Sequence, residues 1–248
     1  MGRHGEGAPS ATALVAAAGS GERLGCEGPK ALVELAGRPM IAWSLQAFAA
    51  AAEVSAAVVA APPGGEDELR DAVAAPDGLE LRVVAGGPTR SESVAAALAA
   101  LDEPTDLVAV HDAARPLVTP ELVDGVIETL LTKPEAAGAI AAGAVTDTIK
   151  RSPEPRGTGG GSPAVAATES REHLWAAQTP QVFRTPALRD ALAADPRRVA
   201  QATDDAWLVE QAGGTVLIHP SPPENIKVTT PADLRVAELL LAERASAG

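Results

Sequence analysis

Four short stretches of the chain combine charged side chains with residues that let a backbone come close to a ligand. The first is AAAGSGERLGCEGPK, from Ala16 to Lys30. Gly19, Gly21 and Gly25 permit positive φ and a close backbone approach, and successive N–H groups in such a loop form a concave anion site. Arg23 and Lys30 add full positive charge where it can stabilise phosphate oxygens. The GK[ST] of a Walker loop is missing, which argues against ATPase chemistry. Leu24 occupies the place of the third glycine of a dinucleotide-binding fingerprint. Phosphate binding is the expected role, and a structural turn the alternative.

The second stretch is VAVHDAARP, from Val108 to Pro116. It puts Asp112 just past the end of an expected central strand, where open α/β sheets hold their ligands. A carboxylate there suits Mg²⁺ bridging phosphate oxygens, since magnesium takes only one or two carboxylates. Arg115 suits a bidentate grip on phosphate. Taken alone, such an Asp is more often a helix cap or turn residue. His111 reads as a packed histidine, because no second His or Cys lies near. The third stretch, GGPTRSESV from Gly86 to Val94, ends a strand at two glycines and offers Ser91 or Ser93 as a helix cap. The fourth, PENIKVTTPADL from Pro223 to Leu234, carries Glu224 as a possible second metal carboxylate and Lys227 as a phosphate ligand. Thr230-Pro231 is its helix start signal.

These stretches need a frame, and the apolar runs supply one. Ala11 to Ala18, Val54 to Ala61, Leu79 to Ala85, Leu107 to Val110, Gly138 to Val145 and Gly214 to His219 read as strands. Helices are expected over Glu66 to Ala75, Ser91 to Leu101, Pro120 to Leu131, Asp204 to Ala212 and from Pro231 onward. Unbroken apolar strands alternating with helices predict an α/β fold: a doubly wound, mostly parallel, Rossmann-like sheet in a single domain over residues 11–248. Between Thr146 and Gln178 the pattern breaks. TDTIKR, a Pro/Gly-rich tip and AVAATESREHLW predict a projecting β-hairpin arm of the kind that packs on a partner subunit. A disordered surface loop is the alternative there.

Composition closes off other classes. A formal charge of −13 over 248 residues argues against an electrostatic grip on nucleic acid or an anionic membrane. Cys26 is the single cysteine, so no intramolecular disulfide or cysteine cluster is possible. No apolar run approaches the ~20 residues of a membrane span. Residues 1–10 have no apolar signal core and read as a disordered tail before a cytoplasmic domain.

In this order and spacing, the four blocks resemble the 2-C-methyl-D-erythritol 4-phosphate cytidylyltransferases of the non-mevalonate isoprenoid pathway. HDAARP is the most specific of them, and LWAAQTPQVF and TDDAWLVE also look like family blocks. The resemblance implies a reaction in which CTP and methylerythritol phosphate give a CDP-alcohol and pyrophosphate, with Mg²⁺ as cofactor. It implies that Arg23 and Lys30 stabilise the transition state at the α-phosphorus, and that Asp112 with Glu224 binds the metal. Ala17, Ala18, Gly19, Ser20 and Gly21, with Gly86, Arg90, Ser93 and Ala113, would contact CTP. Arg115, Thr179, Thr203 and Lys227 would line the acceptor site. Asp147 and Arg171, on the arm, would reach the acceptor phosphate of a neighbouring subunit in a homodimer, with Arg171 and Lys227 positioning it for attack. The acceptor is already a phosphate monoester, so little general-base work is needed, and positioning plus charge neutralisation suffices. Glu224 stands where that family commonly has Asp, and no second catalytic domain follows Gly248. Rival expectations are a ribitol-5-phosphate cytidylyltransferase, a transferase for sugar 1-phosphates or molybdopterin, and a catalytically silent nucleotide-binding module.

Overall fold

The structure is a computed structural model that describes residues 9–25, 28–101, 105–153, 162–194 and 196–247. Most of the expected N-terminal tail, and most of the expected Pro/Gly-rich arm tip, lie outside the described residues. In chain order the elements are β1 (Ala11–Ala16), β2 (Glu34–Leu35), β3 (Arg38–Pro39), α1 (Met40–Ala50), β4 (Val54–Ala61), α2 (Glu66–Ala72), β5 (Glu80–Ala85) and α3 (Arg90–Ala99). There follow β6 (Leu107–Asp112), α4 (Pro120–Leu131), β7 (Gly138–Ala144), β8 (Lys150–Arg151), β9 (Ala167–Thr168) and β10 (Trp175–Arg184). The chain continues through α5 (Thr185–Leu192), α6 (Pro196–Gln201), α7 (Asp205–Gln211), β11 (Val216–Pro220) and α8 (Pro231–Ala247).

Seven strands form one sheet in the order β11-β7-β10-β6-β1-β4-β5. All neighbours are parallel except β10, which runs antiparallel to both β6 and β7. Helices cover both faces. One core packs α1, α2 and α4 on the sheet around Phe48, Ile41 and Ile127, and the other packs α3, α5 and α7 around Phe183, Leu14 and Leu188. Burial on both faces explains the unbroken apolar strands. A third cluster joins Leu24 of the first loop to Val228, Leu117 and the α8 residues Ala237 and Leu241.

The doubly wound, mostly parallel architecture is the one expected, with two departures. No helix was expected over Met40–Ala50, yet α1 buries Met40, Ile41, Leu45 and Phe48 there. The larger departure is β10. Trp175–Gln178 was assigned to the arm, whereas it opens a ten-residue strand at the centre of the sheet. Gln178, Thr179, Pro180 and Gln181 mask it, because a central strand rarely carries proline. The β7 ladder accommodates them by a register shift between Ala177 and Gln181. The hairpin itself is present as β8 paired antiparallel with β9, Lys150 opposite Thr168.

Candidate active site

At the carboxyl ends of β1 and β6 a cleft of about 430 Å³ opens. The loop after β1 forms one side of it. Gly21 and Gly25 hold φ at 75° and 69°, a left-handed conformation that glycine enters without steric cost, and they bracket a single 3₁₀ turn over Glu22–Leu24. The Lys30 N–H donates to Gly19 O at 3.0 Å. That bond folds the loop back so that Arg23 and Lys30 line the same cleft. Ala18, Gly19, Ser20 and Gly21 also line it, and their N–H groups make no hydrogen bond with described residues. A row of free donors beside two cations is an anion cradle. Neither the Arg23 nor the Lys30 side chain has an ion-pair partner among the described residues. Burial, with Lys227 and Arg23 adding repulsion, pushes the Lys30 ammonium below its usual pKa.

The opposite side is the start of α3. The expected serine caps are not used. Thr89 is the N-cap and forms a capping box, its Oγ1 accepting from Glu92 N at 3.2 Å and its N–H donating to Glu92 Oε2 at 2.8 Å. Ser93 lies inside the helix instead. Its hydroxyl donates to Thr89 O at 2.9 Å and accepts from Gly87 N at 3.1 Å, closing the GGPT turn. Gly86 sits behind the lining, where a Cβ would come 2.9 Å from Ala61 O and 3.0 Å from Ala18 Cβ.

Asp112, the last residue of β6, is the charge centre. Its Oδ1 accepts from Arg90 Nε at 2.8 Å and its Oδ2 from Lys227 Nζ at 2.6 Å. Burial opposes ionisation of this carboxyl, but the two cations outweigh it and hold the group well below the usual carboxylate range. Arg90 also donates through Nη1 to Asp205 Oδ2 at 2.6 Å. Between two carboxylates, and against the cost of burial, its own pKa is raised.

Behind this wall lies a second cleft of about 290 Å³. It shares Arg90, Asp112 and Lys227 with the first and adds Arg115, Thr179, Thr203, Gln178, Gln181 and Asp204. Arg115 donates through Nη1 to Asn225 O at 2.7 Å, while its buried Nε has no partner among the described residues. Thr179 Oγ1 accepts from Asp112 N at 3.1 Å and lies 3.0 Å from His111 Nδ1. The threonine proton therefore goes to Nδ1, which leaves Nε2–H to donate to Arg115 O at 3.2 Å. His111 is wholly enclosed, edge-on to Phe48, and burial lowers its pKa to about 4. It is a neutral buckle that ties the HDAAR turn to β10, in keeping with a packed role.

A family model for 2-C-methyl-D-erythritol 4-phosphate cytidylyltransferase matches residues 11–243. The chain belongs to that family. A relative from Streptomyces avermitilis named as this cytidylyltransferase is 44% identical over 94% of this chain and 92% of its own length. Another from Synechococcus sp. (strain CC9902) is 41% identical over 93% of this chain and 97% of its own. A solved cytidylyltransferase from Thermus thermophilus superposes with a TM-score of 0.69 at 34% identity, covering 93% of this chain and 98% of that one. The 4-diphosphocytidyl-2C-methyl-D-erythritol synthase of Anaerococcus prevotii gives 0.77 at 27% identity, covering 94% and 99%.

Within this member of the cytidylyltransferase family, the structure brings most of the expected residues together. Ala17 to Gly21, Arg23, Lys30, Arg90, Ser93, Asp112, Ala113 and Lys227 line the first cleft, and Arg115, Thr179 and Thr203 line the second. Gly86 packs behind the lining. Glu224 is exposed and lines neither cleft. Asp147 and Arg171 are exposed near the root of the hairpin and also line neither, Arg171 donating to Thr146 O. Sequence reasoning missed Asp205, Gln178, Gln181 and Asn225. Asn225 donates to Gln178 Oε1 at 2.8 Å and to Thr179 O at 3.0 Å, so it braces the acceptor-side wall. Asp205 follows Asp204 directly in TDDAWLVE, and a second acid beside a helix cap was the available signal.

Proposed function

We propose that the chain transfers CMP from CTP to 2-C-methyl-D-erythritol 4-phosphate across the wall that its two clefts share. The observation that carries this reading is the meeting of both clefts at Arg90, Asp112 and Lys227. On one side lies a donor-rich loop with two unpaired cations, and on the other a cleft lined by Arg115. An oxygen of the acceptor phosphate bonds to the α-phosphorus of CTP. The bridging α–β P–O bond breaks, and pyrophosphate leaves with its electron pair. Lys30, Arg23 and the N–H groups of Ala18 to Gly21 hold the triphosphate and stabilise the charge that builds on it. Lys227, Arg115, Thr179 and Thr203 hold the acceptor phosphate in line. A phosphate monoester is largely ionised near neutral pH, so no residue has to act as base, and His111 stays sealed from both clefts.

Magnesium fits this donor set. Asp112 is ionised, and a carboxylate has about four lone-pair sites, of which two are taken. Among the described residues no group of three metal-ligating side chains forms a closed cage. That suits an ion that arrives with the triphosphate and takes only one or two carboxylates. Asp112 would hold it, and when bound it would neutralise triphosphate charge. The proposal rests on Asp112, since Glu224 lies outside the clefts.

The reading includes a homodimer. Asp147 and Arg171 lie outside their own chain's clefts, and Val165, Leu174 and Trp175 around the hairpin are exposed apolar residues. In this reading Arg171 serves the acceptor phosphate in a partner's cleft. The reading also includes a cytoplasmic setting, supported by two substrates that are charged phosphates. Among the described residues no helix is long and apolar enough to cross a membrane.

Pyrophosphate release tests the reading. CTP with methylerythritol phosphate should support it in the presence of Mg²⁺ and not in its absence, and a preference for ribitol 5-phosphate would overturn the acceptor assignment. Mixing Lys30→Ala with Arg171→Ala tests the dimer. Partial recovery of activity is expected, and its absence counts against a shared site.

A further inference from the structure

Asp205 is the first residue of α7 and has 0% exposure. Its Oδ2 accepts from Arg90 Nη1 at 2.6 Å, while its Oδ1 has no partner among the described residues. A buried carboxylate is costly even when paired. The helix does not need it, because Asp204 already caps α7 by accepting from Trp207 N at 2.9 Å. It lines neither cleft, so it does not reach a ligand. What remains is its effect on Arg90, which lines both clefts and donates to Asp112.

We propose that Asp205 is a positioning residue for cytidylyl transfer: by anchoring Nη1 of Arg90 it keeps Nε directed at Asp112 Oδ1 and so orients the carboxylate shared by the two clefts. The inference rests on the reaction proposed above. An arginine held between two carboxylates does not become an unpaired cation when substrate draws on one of them. With Asp205 in place, Arg90 stays against the wall as Asp112 is engaged. Without it, the guanidinium is free to swing onto the triphosphate and leave Asp112 misplaced.

The test compares full-length parent, Asp205→Asn, Arg90→Ala and the double variant by pyrophosphate release, CTP affinity from calorimetry, and thermal melting. Asp205→Asn is expected to lose about 10–100-fold in turnover, the usual cost of removing a partner that orients a site ligand. It should lose nothing further in the Arg90→Ala background, because it acts only through Arg90. Melting should move the other way. Arg90→Ala leaves a buried carboxylate unpaired, so the double variant should melt above Arg90→Ala while being no more active. Arg90→Gln replaces Arg90→Ala if the latter does not fold. Independent losses that multiply in the double variant, or parental turnover in Asp205→Asn, would overturn the proposal. If the parent itself releases no pyrophosphate from these substrates, the proposed reaction falls instead. The CTP-affinity cycle then decides for Asp205: non-additive losses support the positioning role and additive ones reject it.

Discussion

The two clefts share a wall but are built on opposite principles. The first comes largely from one continuous loop, Ala16 to Lys30, in which the N–H groups of Ala18 to Gly21 have no hydrogen-bond partner, and the cations Arg23 and Lys30 no ion-pair partner, among the described residues. Its charge is balanced only when an anion enters. The second is assembled from β10, the Thr203-Asp204 turn and the Asn225–Lys227 segment, and its polar groups already answer one another through His111, Thr179, Gln178 and Asn225. A chain with formal charge −13 thus sets two cations on the triphosphate side without an ion-pair partner among the described residues, while on the acceptor side Arg115 is held by Asn225 O and Lys227 by Asp112. The acceptor side is pre-organised, with its cost met in hydrogen bonds within the fold. The difference teaches that affinity for the nucleotide and geometry for the acceptor can be altered separately.

The largest expected effect comes from removing an unpaired cation. Lys30→Ala should lower turnover about 10²–10³-fold, the scale of losing one charge-stabilising donor. Melting should barely change, because Lys30 has no ion pair to lose. A marked fall in melting temperature would break the contrast, since it would place Lys30 in the structural network rather than in an open cradle. Gly86→Ala should come next. Its Cβ would meet backbone Ala61 O at 2.9 Å and Ala18 Cβ at 3.0 Å, neither the movable end of a side chain. Overpacking costs roughly 1–3 kcal/mol, and here it displaces the cradle. The KM for CTP should rise severalfold with the acceptor KM unchanged.

Legibility followed the same division. The first cleft could be read from the sequence because its ligand-binding atoms are close neighbours along the chain and glycine marks where the backbone must turn. Asp112 and Arg115 were legible for a similar reason, at the end of an apolar run. The second cleft was not legible from periodicity, because β10 breaks the apolar rule with Gln178, Thr179, Pro180 and Gln181 at the centre of a sheet. Thr179 and Thr203 entered only through family resemblance. Asp205 and Asn225 act through other side chains; the second acid beside the α7 cap hinted at Asp205, but local spacing cannot name a partner that lies 115 positions away, as Arg90 does from Asp205. The cap of α3 was misplaced for a smaller reason: Thr89 and Glu92 form the box, but three hydroxyl residues within five positions compete for the role.

Acid should test the pre-organised side next. His111 has its pKa lowered to about 4 by burial, against ~6.5 for an unfolded histidine. The unfolded chain therefore binds this proton first. The neutral buckle contributes fully above about pH 6.5 and weakens as pH falls toward 4, by on the order of 3 kcal/mol. Asp112 acts in the same sense over a lower window, its stability being present above the unfolded value of ~3.9 and lost only below it. Melting should therefore decline between about pH 6.5 and 4, and His111→Gln should flatten that decline. An unchanged slope in the variant would assign the acid sensitivity elsewhere.

Thr179→Val probes the join between the clefts and should have the smallest effect. The isosteric change removes the acceptor of the Asp112 N–H and the donor to His111 Nδ1. Both hydrogen bonds are buried, so the cost belongs at the low end of that for polar groups left unpaired in the interior, about 1 kcal/mol. Asp112 keeps both cationic partners, and its carboxylate should stay in place. Thr179, in contrast, lines the acceptor-side cleft. The KM for methylerythritol phosphate should thus rise about fivefold, roughly the same 1 kcal/mol, while the KM for CTP holds. Equal rises in both would mean that the shared wall moves as one body and that the two sides cannot be altered separately. A rise confined to the acceptor would mean that the buckle holds β10 against a wall which Arg90 and Lys227 keep still.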